Sequence, residues 1–278
     1  MPRFDLHCHS IVSDGVLEPS QLAQRVLANK TDVWSLTDHD EIGGIAQARQ
    51  ASEALGLGFI AGVEISVTWA GRTIHVVGLG IDETNPVLVD GLAATRHGRL
   101  ERGRAMAAKL EALGIPGCLQ GALKYAGNES LLSRTHFARY LVEQGHVRHM
   151  QEVFDRYLGD DGIAYVPTRW ASLEDAINWI RQAGGIAVLA HPGRYKYSTQ
   201  QFDALFAQFR DLGGVGIEVV TGSHAPAQYQ YYAQVARNYG FHASCGSDFH
   251  SPDESRMDIG TVPDLPEDLS PVWKLMGF

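Results

Sequence analysis

Cysteine is scarce in this chain of 278 residues, and the three that occur, Cys8, Cys118 and Cys245, lie far apart. Their odd number and wide spacing exclude the disulfide framework that stabilises small secreted domains. The amino-terminal residues also lack the basic segment followed by an apolar segment that marks a secretory signal peptide. We therefore expect reduced thiols and a cytoplasmic location.

Long apolar runs are missing as well, because no stretch reaches the roughly 18 apolar residues that a transmembrane helix needs. Basic residues are outnumbered: 23 lysines and arginines stand against 32 aspartates and glutamates, which gives a formal net charge of −9. An acidic protein of this kind is unsuited to holding long duplex nucleic acid. The composition indicates neither a membrane nor an obligate protein partner.

Histidine is abundant, with twelve residues, and apolar strands alternate with amphipathic helices along most of the chain. This alternation is typical of an α/β fold with a mainly parallel sheet, in which functional side chains gather at the carboxyl ends of the strands. Strands are predicted at residues 4–9, 32–36, 58–63, 185–190, 215–220 and from 243 onward, with a hairpin formed by 65–70 and 72–78.

The alternation stops between residues 86 and 161, where helices are predicted at 92–113, 133–144 and 150–158. We interpret this stretch as a helical insertion over the mouth of a barrel formed by residues 1–85 and 162–278. An independent all-α domain is the alternative. The first of these helices is basic, and it is either a solvated face or a guide for an oligonucleotide.

Histidines and carboxylates follow the apolar runs at successive strand ends. His7 and His9 point the same way from extended backbone, the third strand is predicted to end on Glu64, and His75 lies on the returning strand of the hairpin. Such a series is typical of a metal centre. The candidate residues are His7, His9, Asp14, Asp38, His39, Glu64, His75, His191, Asp248 and His250.

Histidine combined with carboxylate suits manganese, zinc or iron, whereas magnesium prefers oxygen ligands. Ten side chains are too many for one ion, so we expect two or three divalent ions, with manganese favoured. A site of this kind can bind a phosphoryl oxygen, generate hydroxide and stabilise a leaving oxygen. Three divalent ions held by Asp14, Glu64 and Asp248 would leave a net charge of +3, which favours an anionic substrate.

The motifs carry a family resemblance. The segments His7-x-His9-Ser10, Thr37-Asp38-His39-Asp40 and Gly246-Ser247-Asp248-x-His250, together with Glu64, His75 and His191-Pro192, resemble the PHP (polymerase and histidinol phosphatase) family. The resemblance covers both α/β segments. It implies a distorted seven-stranded (β/α) barrel with a trinuclear metal centre that cleaves phosphate esters.

The resemblance also implies which residues bind each ion. One ion would take His7, His9, Glu64 and Asp248, a second Glu64, His75 and His191, and a third Asp14, His39 and His250. Asp14 stands where many family members have histidine, and Asp38 is expected to orient a histidine. The expected catalytic residues are Asp14, His39, Glu64, His191 and Asp248.

The motif at residues 133–136 is similar to a bacterial branch of the family, the nucleoside 3′,5′-bisphosphate phosphatases, some of which are called 5′→3′ exoribonucleases. Ser133, Arg134 and His136 are the expected substrate contacts there, since a guanidinium fork suits a phosphate. Arg194 can reach the same anion from the barrel side. The implied reaction removes the 3′-phosphate of a small nucleotide and leaves a 5′-mononucleotide; the alternative is that Arg134 or Arg194 is a surface ion-pair partner.

Three other functions stay open. The metal centre could trim short RNA or DNA from the 5′ end, or belong to an amidohydrolase-type enzyme, although Glu64 occupies the bridging position that a lysine often fills there. A metal-holding regulatory module is the third. Cys8 is expected to pack in the core, and roles for Tyr195, Lys196 and His224 are undecided.

Overall fold

Seven strands form a single curled sheet in which the strands follow chain order. The computed structural model describes residues 2–278 of the chain. The backbone nitrogen of Leu6 donates to the carbonyl oxygen of Cys245 at 3.0 Å, which links the two ends of the sheet into a nearly closed barrel. The predicted seven-stranded α/β barrel is confirmed. The strands are β1 (Phe4–Asp5), β2 (Val33–Leu36), β3 (Gly58–Trp69), β4 (Arg72–Leu79), β5 (Ile186–Leu189), β6 (Gly216–Thr221) and β7 (His242–Gly246).

One strand runs against the others. β1, β2 and β3 pair in parallel, as do β5, β6 and β7, whereas β4 is antiparallel to both β3 and β5. His75 lies in the amino-terminal half of β4. Because of the reversal, this half of β4 reaches the same rim as the carboxyl ends of the parallel strands.

Helices cover the outside of the barrel and fill the insertion. Local sequence explains several of their starts: Pro19 occupies the first turn of α1, where its missing N–H costs nothing, and Ser172 Oγ accepts from Asp175 N at 3.0 Å before α8. The helices are α1 (Pro19–Ala28), α2 (Ile45–Leu55), α3 (Pro86–Arg96), α4 (Arg99–Ala112), α5 (Cys118–Leu123), α6 (Arg134–Glu143), α7 (Met150–Val153), α8 (Leu173–Gln182), α9 (Thr199–Asp211) and α10 (Pro226–Tyr239).

The third strand does not end on Glu64, and that prediction is wrong. β3 pairs in parallel with β2 over residues 58–61 and then continues as the first arm of the antiparallel hairpin with β4 over residues 62–69. The strand can continue because a new partner becomes available where the old one ends. Glu64 therefore projects from the interior of a strand, close to this change of partner.

The predicted helix over residues 92–113 is two helices. Gly98 has φ of 90°, a left-handed conformation that L side chains rarely adopt, and it separates α3 from α4. The two helices also pack in different cores. Leu88 and Leu92 of α3 belong to the apolar core of the barrel, whereas Met106 and Leu110 of α4 belong to a separate core within the insertion.

The core within the insertion also contains Phe137, Leu141, Val153 and Leu158, and we call residues 99–164 the cap. The domain boundaries at 86 and 161 stay predictions, although the apolar contacts assign α3 to the barrel. Among residues 2–278, none of the helices has the length and apolar character to cross a membrane.

Candidate metal centre

Nine of the ten candidates meet at the barrel mouth; Asp38 does not join them. Their imidazole nitrogens and carboxylate oxygens form four overlapping groups, and within each group the atoms lie within 4.8 Å of one another. This spacing allows several ions to be bound side by side. The groups are His7, His9 and Glu64; His7, His191 and Asp248; His39, Glu64 and His75; and His9, Asp14, His39 and His250.

Glu64 lies at the centre of the cluster. Its Oε1 is 3.0 Å from His75 Nδ1 and 2.8 Å from His191 Nε2. Its Oε2 is 2.9 Å from His39 Nδ1 and 3.3 Å from His9 Nε2. One carboxylate thus faces imidazoles from four separate segments, as the predicted bridging role requires.

Two aspartates approach His9 as Glu64 does. Asp248 Oδ1 is 3.6 Å from His7 Nε2 and 3.4 Å from His9 Nε2. Asp14 Oδ1 is 3.5 Å from His250 Nε2 and 3.9 Å from His9 Nδ1. His9 therefore approaches the third predicted ligand set as well as the first.

The donor atoms fit divalent cations. Asp14 Oδ1, Glu64 Oε2 and Asp248 Oδ1 are buried and have no hydrogen-bond partner within residues 2–278. A buried, unpartnered carboxylate oxygen is costly unless a cation compensates it. Between them these three carboxylates belong to all three predicted ligand sets, so the cluster has the composition of a site for two or three ions.

Protons occupy part of this role when cations are absent. Burial lowers the pKa of His9, but its contacts with Asp248 and Glu64 outweigh burial and raise the pKa to about 10. At His75 burial outweighs the contact with Glu64 and lowers the pKa to about 4. Burial raises the pKa of Glu64, yet the surrounding imidazoles outweigh it and hold the pKa well below its usual range. Glu64 therefore stays ionised at neutral pH and can bind a cation.

Backbone strain is concentrated here. His191 and Asp248 have φ of 25° and 54°, and Asp40, beside His39, has φ of 51°. Positive φ costs a residue with a side chain about 1–3 kcal/mol and persists where the surroundings enforce it, which is common at functional sites. Two of the candidate ligands are therefore held in conformations that their own sequence disfavours.

Glu218, in the middle of β6, was absent from the predicted site. Its Oε1 lies 2.7 Å from His7 Nδ1, and its Oε2 accepts from the backbone nitrogen of His191 at 2.6 Å. A proton on Nδ1 of His7 leaves Nε2 free to face the cluster. The available signal was a carboxylate in a buried apolar strand, which needs a partner.

Asp38 does not orient a histidine as predicted. It accepts from the backbone nitrogen and the hydroxyl of Ser10 at 2.8 and 2.6 Å, and from the hydroxyl of Ser13 at 2.5 Å. The carboxylate is fully buried behind the turn that follows His9. It therefore fixes the loop that carries Asp14 into the cluster.

A cleft of about 1490 Å³ leads from the cluster to the cap. Ser133 and Arg134 line it, and Ser133 Oγ donates to Asp14 Oδ2 at 3.3 Å. Arg134 is also an ion-pair partner of Asp160 at 3.2 Å. Arg134 is thus both an ion-pair partner, which was the alternative considered for it, and a residue of the cleft wall.

The remaining substrate candidates differ in access. His136 is fully buried and is not among the cleft-lining residues; its Nδ1 accepts from Ser133 N at 3.1 Å at the start of α6. A direct contact of His136 with phosphate was expected, but the side chain lies behind the cleft wall. The reason is that its ring caps the start of α6. Arg194 is half exposed in the cleft, with Nη1 3.3 Å from Asp248 Oδ2.

The structure shows the surroundings of Tyr195, Lys196 and His224, whose roles the sequence left undecided. The Tyr195 hydroxyl donates to Ala190 O at 2.8 Å and accepts from His75 N at 2.9 Å. His224 is buried, and its Nε2 accepts a hydrogen bond from the backbone nitrogen of Gly193 at 2.9 Å. Lys196 is exposed, and Cys8 packs in the core as expected.

Comparison with known proteins identifies the family, since the PHP domain matches residues 5–254. The chain belongs to the PHP family. This membership confirms the resemblance predicted from the motifs. A curated relative from Chromobacterium violaceum, described as a 3′,5′-nucleoside bisphosphate phosphatase, is 47% identical over 99% of this chain and 96% of the relative. A 5′-3′ exoribonuclease from Haemophilus influenzae is 40% identical over 98% of both chains.

Solved structures agree on the fold. An amidohydrolase from Chromobacterium violaceum with bound sulfate and no metal has a TM-score of 0.96 at 47% identity, over 99% of this PHP chain and 96% of the other. A protein from Bifidobacterium adolescentis described as a putative metal-dependent phosphoesterase has a TM-score of 0.81 at 27% identity, over 99% and 95% of the two chains. Barrel and cap are thus both covered by these similarities.

Proposed function

We propose that this protein is a metal-dependent phosphoesterase that removes the 3′-phosphate of a nucleoside 3′,5′-bisphosphate and leaves a 5′-mononucleotide. The observation that carries the proposal is the cluster of nine potential ligand side chains, six of them buried, at the end of an arginine-lined cleft. The activity named for the Chromobacterium violaceum relative supports it. We assign the nine clustered residues to metal binding, as predicted from the sequence.

The residues divide into holding and positioning roles. Divalent ions bound here would supply Lewis acidity toward the phosphoryl oxygens and activate water. Glu218 keeps the proton of His7 on Nδ1, so that Nε2 can serve as a ligand atom. Arg194, half exposed beside Asp248, binds the phosphate that approaches the ions. Fixed in this way, the reacting groups need little reorganisation.

We further propose manganese as the resident metal and the cytoplasm as the location. The mixed imidazole and carboxylate donors support a transition metal over magnesium. All three cysteines are free and buried, which fits a reducing compartment.

A second candidate function is 5′→3′ exonuclease activity on short RNA or DNA. The volume of the cleft favours it, because about 1490 Å³ exceeds the 300–1,000 Å³ typical of small-molecule pockets and leaves room for a chain of nucleotides. The exoribonuclease named from Haemophilus influenzae supports the same candidate.

The test measures inorganic phosphate released from adenosine 3′,5′-bisphosphate with added Mn²⁺. We expect rapid release by the wild-type protein, loss of most activity in His7→Ala, and unchanged activity in the matched control His146→Ala, whose histidine is exposed on the cap. Equal rates for His7→Ala and the wild type would refute the site. Mononucleotide release from an end-labelled oligoribonucleotide, faster than phosphate release from the bisphosphate, would favour the exonuclease.

A further inference from the structure

Arg102 is a cation without a counterion. It lies on α4, is 8% exposed and lines the cleft. Its Nε donates to Val166 O at 3.0 Å, but within residues 2–278 no carboxylate forms an ion pair with its guanidinium. An almost buried guanidinium without an anionic partner is costly. Its retention in the wall of an open cleft points to an anionic ligand.

The neighbouring arginines already have partners. Arg99, one turn earlier on α4, forms an ion pair with Asp40, and Arg134 pairs with Asp160 at 3.2 Å. Neither carboxylate forms an ion pair with Arg102.

A fourth guanidinium adds to the excess of positive charge. Arg72 Nη1 lies 3.7 Å from Asp160 Oδ2, so this aspartate is shared between Arg72 and Arg134. With Arg99 and Arg102 included, these four guanidinium groups have two carboxylates, Asp40 and Asp160, as ion-pair partners. The difference is two positive charges, which matches the charge of about −1.5 to −2 on a phosphate monoester near neutral pH.

Trp170 holds two of these groups in place. The guanidinium carbons of Arg99 and Arg102 lie 4.5 and 5.2 Å from the centre of its ring. Trp170 itself is fixed because its Nε1 donates to Thr73 Oγ1 at 3.1 Å. Burial, together with Arg134 and Arg99, lowers the pKa of Arg102 to about 9, so the side chain stays charged at neutral pH. The guanidinium donors are thus pre-organised to bind an anion.

This anion position lies beside the metal cluster and is separate from it. Arg99 contacts Asp40, which follows His39, and its Nη2 donates at 3.3 Å to Ser66 Oγ, whose residue pairs with His75 across β3 and β4. Arg102 lies three residues, about 4.5 Å, further along α4. Arg194 approaches the cluster through Asp248 instead.

We propose that Arg102, supported by Arg99 and Arg134, binds the phosphate that is not cleaved and so selects bisphosphorylated over monophosphorylated nucleotides. The inference rests on the proposed function, because it assumes a substrate with two phosphates. Arg102 thereby discriminates between substrates, while the metal cluster and Arg194 receive the reacting phosphate.

The first experiment compares kcat/KM for adenosine 3′,5′-bisphosphate and for adenosine 3′-monophosphate in wild type and Arg102→Gln. Loss of a charge-assisted pair predicts a fall of about 10- to 100-fold on the bisphosphate. Activity on the monophosphate is expected to stay within about twofold, since that substrate lacks the phosphate in question. Arg104→Gln is the matched control, because Arg104 lies on the same helix but is exposed and paired with Glu101. Equal losses on both substrates would overturn the proposal.

The second experiment is independent of turnover. Calorimetric titration with adenosine 5′-monophosphate in the presence of a chelator measures the anion position without the ions. We expect binding by the wild type, at least about tenfold weaker binding by Arg102→Gln, and no such loss in Arg104→Gln. Equal affinities of wild type and Arg102→Gln would refute the inference. Normal binding in a protein that hydrolyses neither nucleotide would refute only the proposed function.

Folding is the last control. Arg102→Gln removes a charge that is buried without a partner and repelled by two neighbours, so its unfolding midpoint without ligand is expected to equal or exceed that of the wild type. A lower midpoint together with equal losses on both nucleotides would assign Arg102 a structural role instead.

Discussion

At the scale of single residues, the carboxylate of Glu218 joins two candidate ligands that come from opposite parts of the chain. It bonds the His7 ring and the His191 backbone with separate oxygens, at 2.7 and 2.6 Å. His191 has φ of 25°, so the bond to its backbone nitrogen also stabilises a strained conformation. Glu218 is therefore a positioning residue that acts on the site through its neighbours.

Replacing Glu218 by Gln should weaken metal binding by about 10- to 100-fold, because the histidine loses a charged partner that fixes its tautomer. Isothermal titration with Mn²⁺ would measure the change. Asp268→Asn is a suitable control, since it removes a carboxylate from an exposed ion pair with Arg237. An unchanged Mn²⁺ affinity in Glu218→Gln would show that His7 does not depend on this contact.

At the scale of elements, the site depends on how closely β7 approaches the segment after β1. Gly246, the last residue of β7, packs against His7, and a β-carbon added there would lie 2.7 Å from the His7 backbone nitrogen. No side chain fits at that distance without a backbone shift. The glycine thus sets the spacing between the strand ends that carry His7 and Asp248.

Gly246→Ala should destabilise the protein by about 1–3 kcal/mol through overpacking, and should weaken Mn²⁺ binding because His7 is displaced. Thermal unfolding and a metal titration would detect the two effects. Gly43→Ala is the matched control, because its added carbon would meet its nearest neighbour at an ordinary 3.4 Å. Wild-type behaviour of Gly246→Ala in both measurements would contradict this account.

Elements with strong local signals could be predicted, and those decided by tertiary pairing could not. The apolar runs before His7, His39, His191 and Asp248 located the strand ends, because a buried strand needs apolar side chains along its length. The course of β3 through Glu64 depends on a second strand pairing that local sequence does not encode. Ring burial at His136 depends likewise on how the cap packs.

At the scale of the whole molecule, the overall charge and the local charge have opposite signs. The chain carries a formal net charge of −9, yet Arg72, Arg99, Arg102 and Arg134 in the cleft have only two carboxylates, Asp40 and Asp160, as ion-pair partners. Fields from distant exposed charges are screened within about 10 Å, so the local arrangement governs what binds. The acidic exterior then contributes to solubility, and the cleft to recognition.

Removing the metal should destabilise the protein, and increasingly so as the pH rises. In the ion-free protein the pKa of His9 is raised to about 10, so its contribution to stability is complete below pH 6.5 and disappears as the pH rises toward 10. Ions compete with this proton, so their affinity rises over the same range. Unfolding midpoints measured with excess Mn²⁺ and with EDTA should therefore diverge between pH 6.5 and 8.5. A constant difference would contradict protonation of His9.

The antiparallel direction of β4 determines how the cap is connected to the barrel. The chain leaves β4 at the floor of the barrel, where Asn85 donates to the last turn of α8 at Gln182 O, and α3 returns it to the rim, where Arg96 bonds Asp40 O at 2.5 Å. Eleven helical residues rise about 16 Å. Helix α3 therefore sets the distance of the cap from the floor of the barrel. Deleting one of its turns would bring the cap about 5.4 Å closer to the barrel and narrow the entrance of the cleft.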